Sequence, residues 1–374
     1  MRSDYFNLKL ICGVAPILSL IFYTPMNAQS TKFFVGTTNG ETVESLALCA
    51  LDEQQGTLTL VDQLKAGKRP GYITVWGDIL YAVSTDSQGE DENTLRAFRI
   101  QNDDLQMISE VSSKGINPCY ISVGGKGESL YSANYTSGSI TQYALKPDGS
   151  IGENWYFQQF EGSSINPTRQ TSPHAHYINT TRDNKFALTA DLGTDKVMIH
   201  EVDNSGRLQR YESQPSIALP PGSGPRHLDF HENNRWIYVL NELNSTITTI
   251  DYKNGSFKVL STISTLPADF EGESYPAAVR IHPEGKYVYS SNRGADNISV
   301  FEIAKNGELK LVQNFGEPLG WVRDFNITPS GKFLVAGNEK TDQIVLLKLG
   351  TDGRIDKHIS TLDFPSPSCF VFFK

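Results

Sequence analysis

The sequence predicts an all-β protein, a seven-bladed β-propeller with four antiparallel strands in each blade. Three observations support this prediction: a strand motif that recurs seven times, a spacing of 46 to 57 residues between its copies, and a scarcity of helical periodicity. A period of this length accommodates four short strands with their turns, and such repetition is typical of propellers and solenoids. The two-residue alternation within the strands favours the propeller.

The recurring motif is a strand that follows a turn rich in Gly, Asn or Asp and ends in a small polar residue. We interpret each copy as the second strand of a blade, with the first strand before the turn and a third strand after it, as at Ile247 and Ile298. The copies end at Thr37, Ser84, Asn134, Asp191, Asn241, Asn292 and Asn338.

The two ends of the chain supply complementary strands. Residues 367–373 match the first strand of the other repeats, whereas the N-terminal copy begins at a second strand, Lys32 to Thr37. We predict that both termini build one blade, because this pairs strands that would otherwise be open edges. Residues 29–374 then form a single propeller domain.

Residues 1–28 have the features of a signal peptide. Arg2 and Lys9 precede a mostly apolar run from Leu10 to Tyr23, and the small residue Ala28 follows. We predict cleavage near this point and a periplasmic or secreted protein with no membrane contact in its mature form. The alternative is an uncleaved anchor, although the run is shorter than the ~20 residues that span a bilayer.

Composition excludes several classes of partner. The formal net charge of -9, with Lys and Arg scattered along the chain, argues against nucleic acid. The predicted mature chain has only Cys49, Cys119 and Cys369, too few for a disulfide scaffold. Because no metal-ligand spacing or phosphate-binding glycine loop is present, we expect no metal and no cofactor. The sequence leaves the oligomeric state open.

Charged residues recur at equivalent places in the repeats. Alignment by the turns puts His176, Arg226 and Arg323 at one position of the first strand, where other repeats have small residues such as Cys119 and Ala277. Directly after the second strands, or at their ends, come Tyr135, Glu242 and Arg293. Structural need alone does not explain cations where the other repeats have small residues.

Antiparallel pairing brings the start of a first strand and the end of a second strand to the same rim. We therefore expect these side chains to converge around the central channel and form an anion-binding, acid/base site for a small anionic lactone or carboxylate. The alternative is a set of rim salt bridges worth ~0–1 kcal/mol each, and we expect replacement of the arginines to leave folding intact. His227, His231 and His282 are assigned capping roles.

Several motifs resemble those of the seven-bladed propeller lactonase family, which includes bacterial propeller-type 6-phosphogluconolactonase and the fungal carboxy-cis,cis-muconate lactonizing enzyme. The most specific are Gly224-Pro-Arg-His227 and Asn241-Glu-Leu243, and the similarity covers nearly all of the predicted mature chain. The resemblance implies that His176, Arg226, Glu242 and Arg293 occupy catalytic positions. The substrate-binding candidates beside them are Arg323, His174 and Tyr135.

The resemblance implies a lactonase that hydrolyses an anionic sugar-acid lactone, with 6-phosphogluconolactone as the leading candidate. Two alternatives remain open: a cycloisomerase of the carboxymuconate lactonizing type, and a propeller that binds a ligand without catalysis. Glu242 or His176 could deprotonate the attacking water, and the sequence does not choose between them.

Overall fold

The computed structural model describes Met1 and residues 30–39, 44–85 and 93–373. The predicted signal peptide, Met1 apart, lies outside these residues. None of the residues in these ranges forms a helix with the length and apolarity needed to cross a membrane.

All regular structure in the described part of the chain is β-strand. The strands, numbered in chain order, are β1 Thr31–Thr37, β2 Glu44–Asp52, β3 Thr57–Lys65, β4 Ile73–Trp76, β5 Ile79–Ser84, β6 Thr94–Gln101, β7 Asp104–Ser112, β8 Pro118–Val123, β9 Ser129–Asn134, β10 Ser139–Leu145, β11 Ile151–Gln159, β12 Ala175–Thr180, β13 Phe186–Asp191, β14 Lys196–Val202, β15 Leu208–Arg210, β16 Ser216–Ala218, β17 Pro225–Phe230, β18 Trp236–Asn241, β19 Thr246–Lys253, β20 Ser256–Ser264, β21 Tyr275–Ile281, β22 Tyr287–Arg293, β23 Asn297–Ile303, β24 Leu309–Phe315, β25 Val322–Ile327, β26 Phe333–Asn338, β27 Gln343–Leu349, β28 Ile355–Asp363 and β29 Pro367–Phe372.

These strands form seven antiparallel sheets, which confirms the predicted seven-bladed propeller. Six sheets have four strands, and in the sheet that starts at β12 the outer position is shared by β15 and β16, which both pair with β14. The innermost strands contact one another in a closed ring, in the order β4, β8, β12, β17, β21, β25 and β29. This ring surrounds the central channel.

The blade that joins the two termini has the predicted composition. Its order is β29-β1-β2-β3, so the last strand of the chain is the innermost strand of a sheet that begins with the first. Phe370 pairs with Val35 in this sheet, and the Phe33 and Phe372 rings lie 5.2 Å apart. The innermost position of this blade would be empty without the C-terminal strand.

The second strand of each blade forms the core, because it has a neighbour on each side within its sheet and a blade on each face. β5, β9, β13 and β26 are buried at every residue. Tyrosines in second strands also link adjacent blades: the Tyr81 hydroxyl donates to the Gly149 carbonyl at 2.8 Å, and the Tyr289 hydroxyl donates to the Gly353 carbonyl at 2.6 Å. Blade-to-blade packing therefore combines apolar burial with satisfied polar groups.

Candidate active site at one mouth of the channel

A β-bulge near the start of the innermost strand determines where the site forms. In six blades the register with the second strand shifts by one residue at this place. A bulge leaves a residue out of the ladder and redirects its side chain. The shifts fall at the positions that the repeat alignment identifies as equivalent: Cys119, His176, Arg226, Ala277, Arg323 and Ser368.

Glu242 lies at the centre of the site and is 4% exposed. Its Oε1 accepts a hydrogen bond from Arg169 Nη2 at 2.7 Å, and its Oε2 lies 3.0 Å from both Arg226 Nε and Arg293 Nη2. Burial alone would raise the pKa of Glu242, but Arg293, Arg226 and Arg169 together hold it well below its usual range. The carboxylate is therefore ionised and surrounded by three guanidinium groups.

Arg226 and Arg293 are anchored through their other nitrogens. Arg226 Nη1 donates to the carbonyl of Ala277 in the next blade, and Arg293 Nε donates to the carbonyl of Tyr275 at 2.9 Å. Burial and the neighbouring Arg293 lower the pKa of Arg226 to about 9, which leaves it protonated at neutral pH. Arg226 Nε and Arg293 Nη2 both form ion pairs with Glu242 Oε2, so one carboxylate oxygen holds the two guanidinium groups together.

His176 is the buried imidazole of the site. Its Nδ1 has no hydrogen-bond partner among the residues that the structure describes, and its ring lies edge-on to Tyr135 and His227, with centroids 5.4 and 5.3 Å away. Burial, reinforced by the charge of Arg226, lowers the pKa of His176 well below its usual value. The imidazole is therefore neutral at physiological pH and able to accept a proton.

The remaining predicted residues lie beside this centre. Arg323 Nη1 is 3.6 Å from Glu339 Oε1, an oxygen that also accepts a hydrogen bond from the Thr38 hydroxyl. The His174 ring stacks on Tyr135 with centroids 4.5 Å apart, and its Nδ1 lies 2.9 Å from the Tyr135 carbonyl oxygen. The structure thus brings all seven candidate residues to one mouth of the channel.

Arg169 belongs to the same site but escaped the sequence analysis. It lies in the loop of residues 160–174 between β11 and β12, and its Nη2 also donates to the Tyr135 hydroxyl at 3.2 Å. The repeat alignment could not identify it because this loop lies outside the recurring motif. One feature of the sequence does indicate an unusual loop here: the interval of 57 residues from Asn134 to Asp191 is the longest between copies of the motif.

The capping role predicted for His227 is wrong. His227 is 2% exposed, and its Nε2 lies 3.1 Å from Arg226 Nη1. His231 and His282 do cap turns, since the Nδ1 of each accepts a backbone N–H two residues later at 3.1 Å. The His227 ring instead packs below the site against three aromatic rings, those of Tyr72, Tyr120 and Tyr177.

The description of the arginines as rim charges also needs correction. The side chains of Arg226 and Arg293 are 3% and 9% exposed, and both face a buried carboxylate. Removal of either takes a buried charge-assisted contact from Glu242, which costs about 1.5–3 kcal/mol rather than the ~0–1 kcal/mol of a surface pair. Their replacement is therefore expected to affect folding as well as ligand binding.

Across the described ranges, no group of three or more His, Cys, Asp or Glu side chains is arranged to hold a metal ion. The fold and the site together define a β-propeller with a cluster of net positive charge at one mouth of its channel. The cluster combines a neutral imidazole with several fixed guanidinium groups, which suits acid/base chemistry on a small anion.

The family model described as "Lactonase, 7-bladed beta-propeller" matches residues 32–372. The chain therefore belongs to the lactonase family of seven-bladed β-propellers. It is 30% identical to the 6-phosphogluconolactonase of Bacillus subtilis over 353 residues, which cover 91% of this chain and 99% of the relative.

Two solved structures are similar along nearly their whole length. The periplasmic gluconolactonase of Pseudomonas aeruginosa has a TM-score of 0.85 and 26% identity, over 92% of this chain and 99% of that one. A protein from Lactobacillus plantarum has a TM-score of 0.86 and 28% identity, over 92% of this chain and 100% of that one.

Proposed function

We propose that the protein hydrolyses an anionic sugar-acid lactone, with 6-phosphogluconolactone as the leading substrate and 6-phosphogluconate as the product. The observation that carries this proposal is the charge balance around Glu242. Three guanidinium groups surround one carboxylate, and Arg323 is offset by Glu339. The excess positive charge in a partly desolvated mouth favours a substrate that carries negative charge.

The proposed mechanism begins with His176, which takes a proton from the water that adds to the lactone carbonyl. Its lowered pKa keeps it neutral at physiological pH, and the negative charge of a bound substrate, added to that of Glu242, makes the imidazole a stronger base in the complex. The tetrahedral oxyanion is stabilised by the positive charges of Arg226 and Arg293, which Glu242 and two backbone carbonyls hold in place. The imidazolium then protonates the ring oxygen as the C–O bond breaks, which yields the open hydroxy acid. Proton transfer of this kind increases the rate by about 10²–10⁴-fold.

Glu242 has a different part in this scheme. Both carboxylate oxygens of Glu242 are paired with guanidinium groups, which leaves this residue poorly placed to take a proton from water. Its contacts with Arg226 and Arg293 instead hold two guanidinium groups side by side where the oxyanion forms. We assign Glu242 to positioning these arginines, and His176 to proton transfer.

Neutral gluconolactone is a second candidate substrate. It is favoured by the similarity to the periplasmic gluconolactonase and by the predicted signal peptide, which together support action in the periplasm or outside the cell. Cycloisomerisation of a carboxymuconate and ligand binding without catalysis are two competing hypotheses, and activity on each substrate separates them.

The test is hydrolysis of freshly prepared 6-phosphogluconolactone by the purified protein, followed by coupled oxidation of the 6-phosphogluconate. We expect a rate well above spontaneous hydrolysis, a loss of at least ~10²-fold in His176→Asn, and no loss in Arg210→Gln, which alters an exposed arginine of the same blade. Near-ultraviolet circular dichroism checks that both variants are folded. A wild-type rate equal to the spontaneous rate would contradict the proposal.

A further inference from the structure

We propose that Arg169 determines substrate specificity by binding the anionic group of the substrate at the outer edge of the site. This inference rests on the proposed function and extends it. Arg226 and Arg293 contact the reacting ester, whereas Arg169 contacts the anionic group. It is carried by the geometry of the 160–174 loop and of the Arg169 side chain.

Arg169 has unused hydrogen-bonding capacity that faces solvent. Its Nη2 makes both of its contacts with neighbouring side chains, to Glu242 Oε1 and to the Tyr135 hydroxyl. Its Nε and Nη1 donate to no other residue in the described ranges. The side chain is 35% exposed, far more than Arg226 or Arg293. A charged group that is already oriented, with free donors at the mouth, suits an incoming anion.

The loop holds Arg169 in place before any ligand arrives. Asn166 Oδ1 accepts the backbone N–H groups of Thr168 and Arg169 at 3.1 and 3.0 Å, which closes a tight turn. The buried amide of Gln170 donates to the Leu192 carbonyl at 2.8 Å and to Asp195 Oδ1 at 2.7 Å. Because the loop is already held in this conformation, it loses little conformational entropy when a ligand binds.

Asp195 connects this loop to the strand that carries Arg226. Its carboxylate accepts the backbone N–H groups of Gly222 and Gly224 at 2.7 and 2.6 Å, directly before β17. Gly224 has a φ of 62°, in the left-handed region that glycine adopts without strain. The outer arginine and a deep arginine are therefore fixed relative to each other through one buried carboxylate.

The depths of the arginines define the class of substrate. Arg226 and Arg293 are buried, whereas the Arg169 side chain is 35% exposed at the edge of the site. A lactone whose carbonyl reaches the deep arginines would present a phosphate or carboxylate on the opposite end of the molecule to Arg169. A neutral lactone would gain nothing from this residue.

The test compares two substrates in Arg169→Gln: 6-phosphogluconolactone, which is anionic, and gluconolactone, which is not. We expect kcat/KM to fall roughly tenfold to hundredfold more on the anionic lactone than on the neutral one, mainly through a higher KM, because only the anionic lactone loses a charge-assisted contact. Arg169→Lys should recover part of the loss, and Arg210→Gln should match the wild type on both.

Equal losses on both lactones would overturn the inference, since they would show that Arg169 acts only through Glu242. No loss on either would overturn it as well. If the wild type hydrolyses neither lactone, the proposed function fails, and calorimetric binding of 6-phosphogluconate decides the inference separately. We then expect at least tenfold weaker binding to Arg169→Gln than to the wild type. Equal binding, or no binding to the wild type, would contradict it.

Discussion

Arg226 Nε lies 3.0 Å from Glu242 Oε2, and the two residues stand at the two ends of one hairpin, at the start of β17 and just after β18. The hairpin therefore holds a buried cation and a buried anion together. The backbone N–H of Glu242 donates to the Gly224 carbonyl at 2.8 Å, which extends the pairing beyond the strands. Removal of either charge is expected to have structural consequences.

The first prediction concerns the stability of the charge cluster. Arg293→Ala should lower the free energy of unfolding by about 1.5–3 kcal/mol, because Glu242 and the Tyr275 carbonyl each lose a buried charge-assisted contact. Urea denaturation measures the change. Arg210→Ala is the matched control, since its partner Glu212 is also exposed, and it should change stability by less than about 0.5 kcal/mol. Similar effects in the two variants would contradict the buried-pair interpretation.

The second prediction concerns the blade built from both termini. Phe370 is 1% exposed in β29, so Phe370→Ala should cost about 3–5 kcal/mol, and deletion of residues 367–374 should yield insoluble protein because it exposes β1 as an open edge. Thermal melting and soluble yield measure these effects. Phe157→Ala, at a residue 45% exposed, is the control with little expected change. A soluble, cooperatively folded deletion variant would refute the role of β29 in closure.

The repeat alignment predicted the blades and put six of the seven candidate residues at equivalent positions because propeller geometry repeats. Each turn fixes the register of its hairpin, so equal distances from the turns correspond to equal depths in the channel. The start of the innermost strand carries a bulge in six blades, which explains why His176, Arg226 and Arg323 are equivalent in space as well as in sequence.

The misassigned residues break the same regularity. The capping role predicted for His227 fails because the bulge brings Arg226 and His227 together, whereas successive strand residues normally point to opposite faces. Arg169 lies in a loop outside the repeat, so no internal comparison identifies it. The burial of Arg293 depends on packing between blades, which the pattern within a single strand does not reveal.

The third prediction concerns acid sensitivity. His200 is 2% exposed, and burial lowers its pKa to about 4. A histidine in the unfolded chain has a pKa near 6.5. Between pH ~6.5 and about 4, this residue is therefore protonated in the unfolded chain but neutral in the folded protein. Stability should therefore fall as the pH drops through this window, by about 1.4 kcal/mol per pH unit for this residue.

Urea denaturation at several pH values checks this prediction. His200→Gln should give a shallower dependence of stability on pH than the wild type, whereas His358→Gln, at an exposed position, should keep the wild-type slope. His176 and His227, whose pKa values are also lowered by burial, should maintain part of the slope in both variants. Stability that rises on acidification would contradict the prediction.

The fourth prediction concerns processing of the N-terminus. Export with cleavage after Ala28 should leave Gln29 as the first residue of the natively expressed protein. N-terminal sequencing of fractionated cells measures this directly. An intact Met1 on soluble cytoplasmic protein would refute export and would strengthen a role in the metabolism of phosphorylated sugars.

The central claim is that neutral His176 accepts the proton from water while Glu242 positions the arginines. The pH dependence of kcat/KM on 6-phosphogluconolactone tests it most directly, in the wild type, Glu242→Gln and His176→Asn. We predict a wild-type kcat/KM that is constant above about pH 6.5 and falls at lower pH, with an apparent pKa below the ordinary histidine value. This fall is the acidic limb of the profile.

Glu242→Gln should be slower but keep this acidic limb, shifted to lower pH because the carboxylate stabilises the imidazolium. His176→Asn should lose the limb together with ~10²–10⁴ of the rate. Loss of the limb in Glu242→Gln and its retention in His176→Asn would contradict the account.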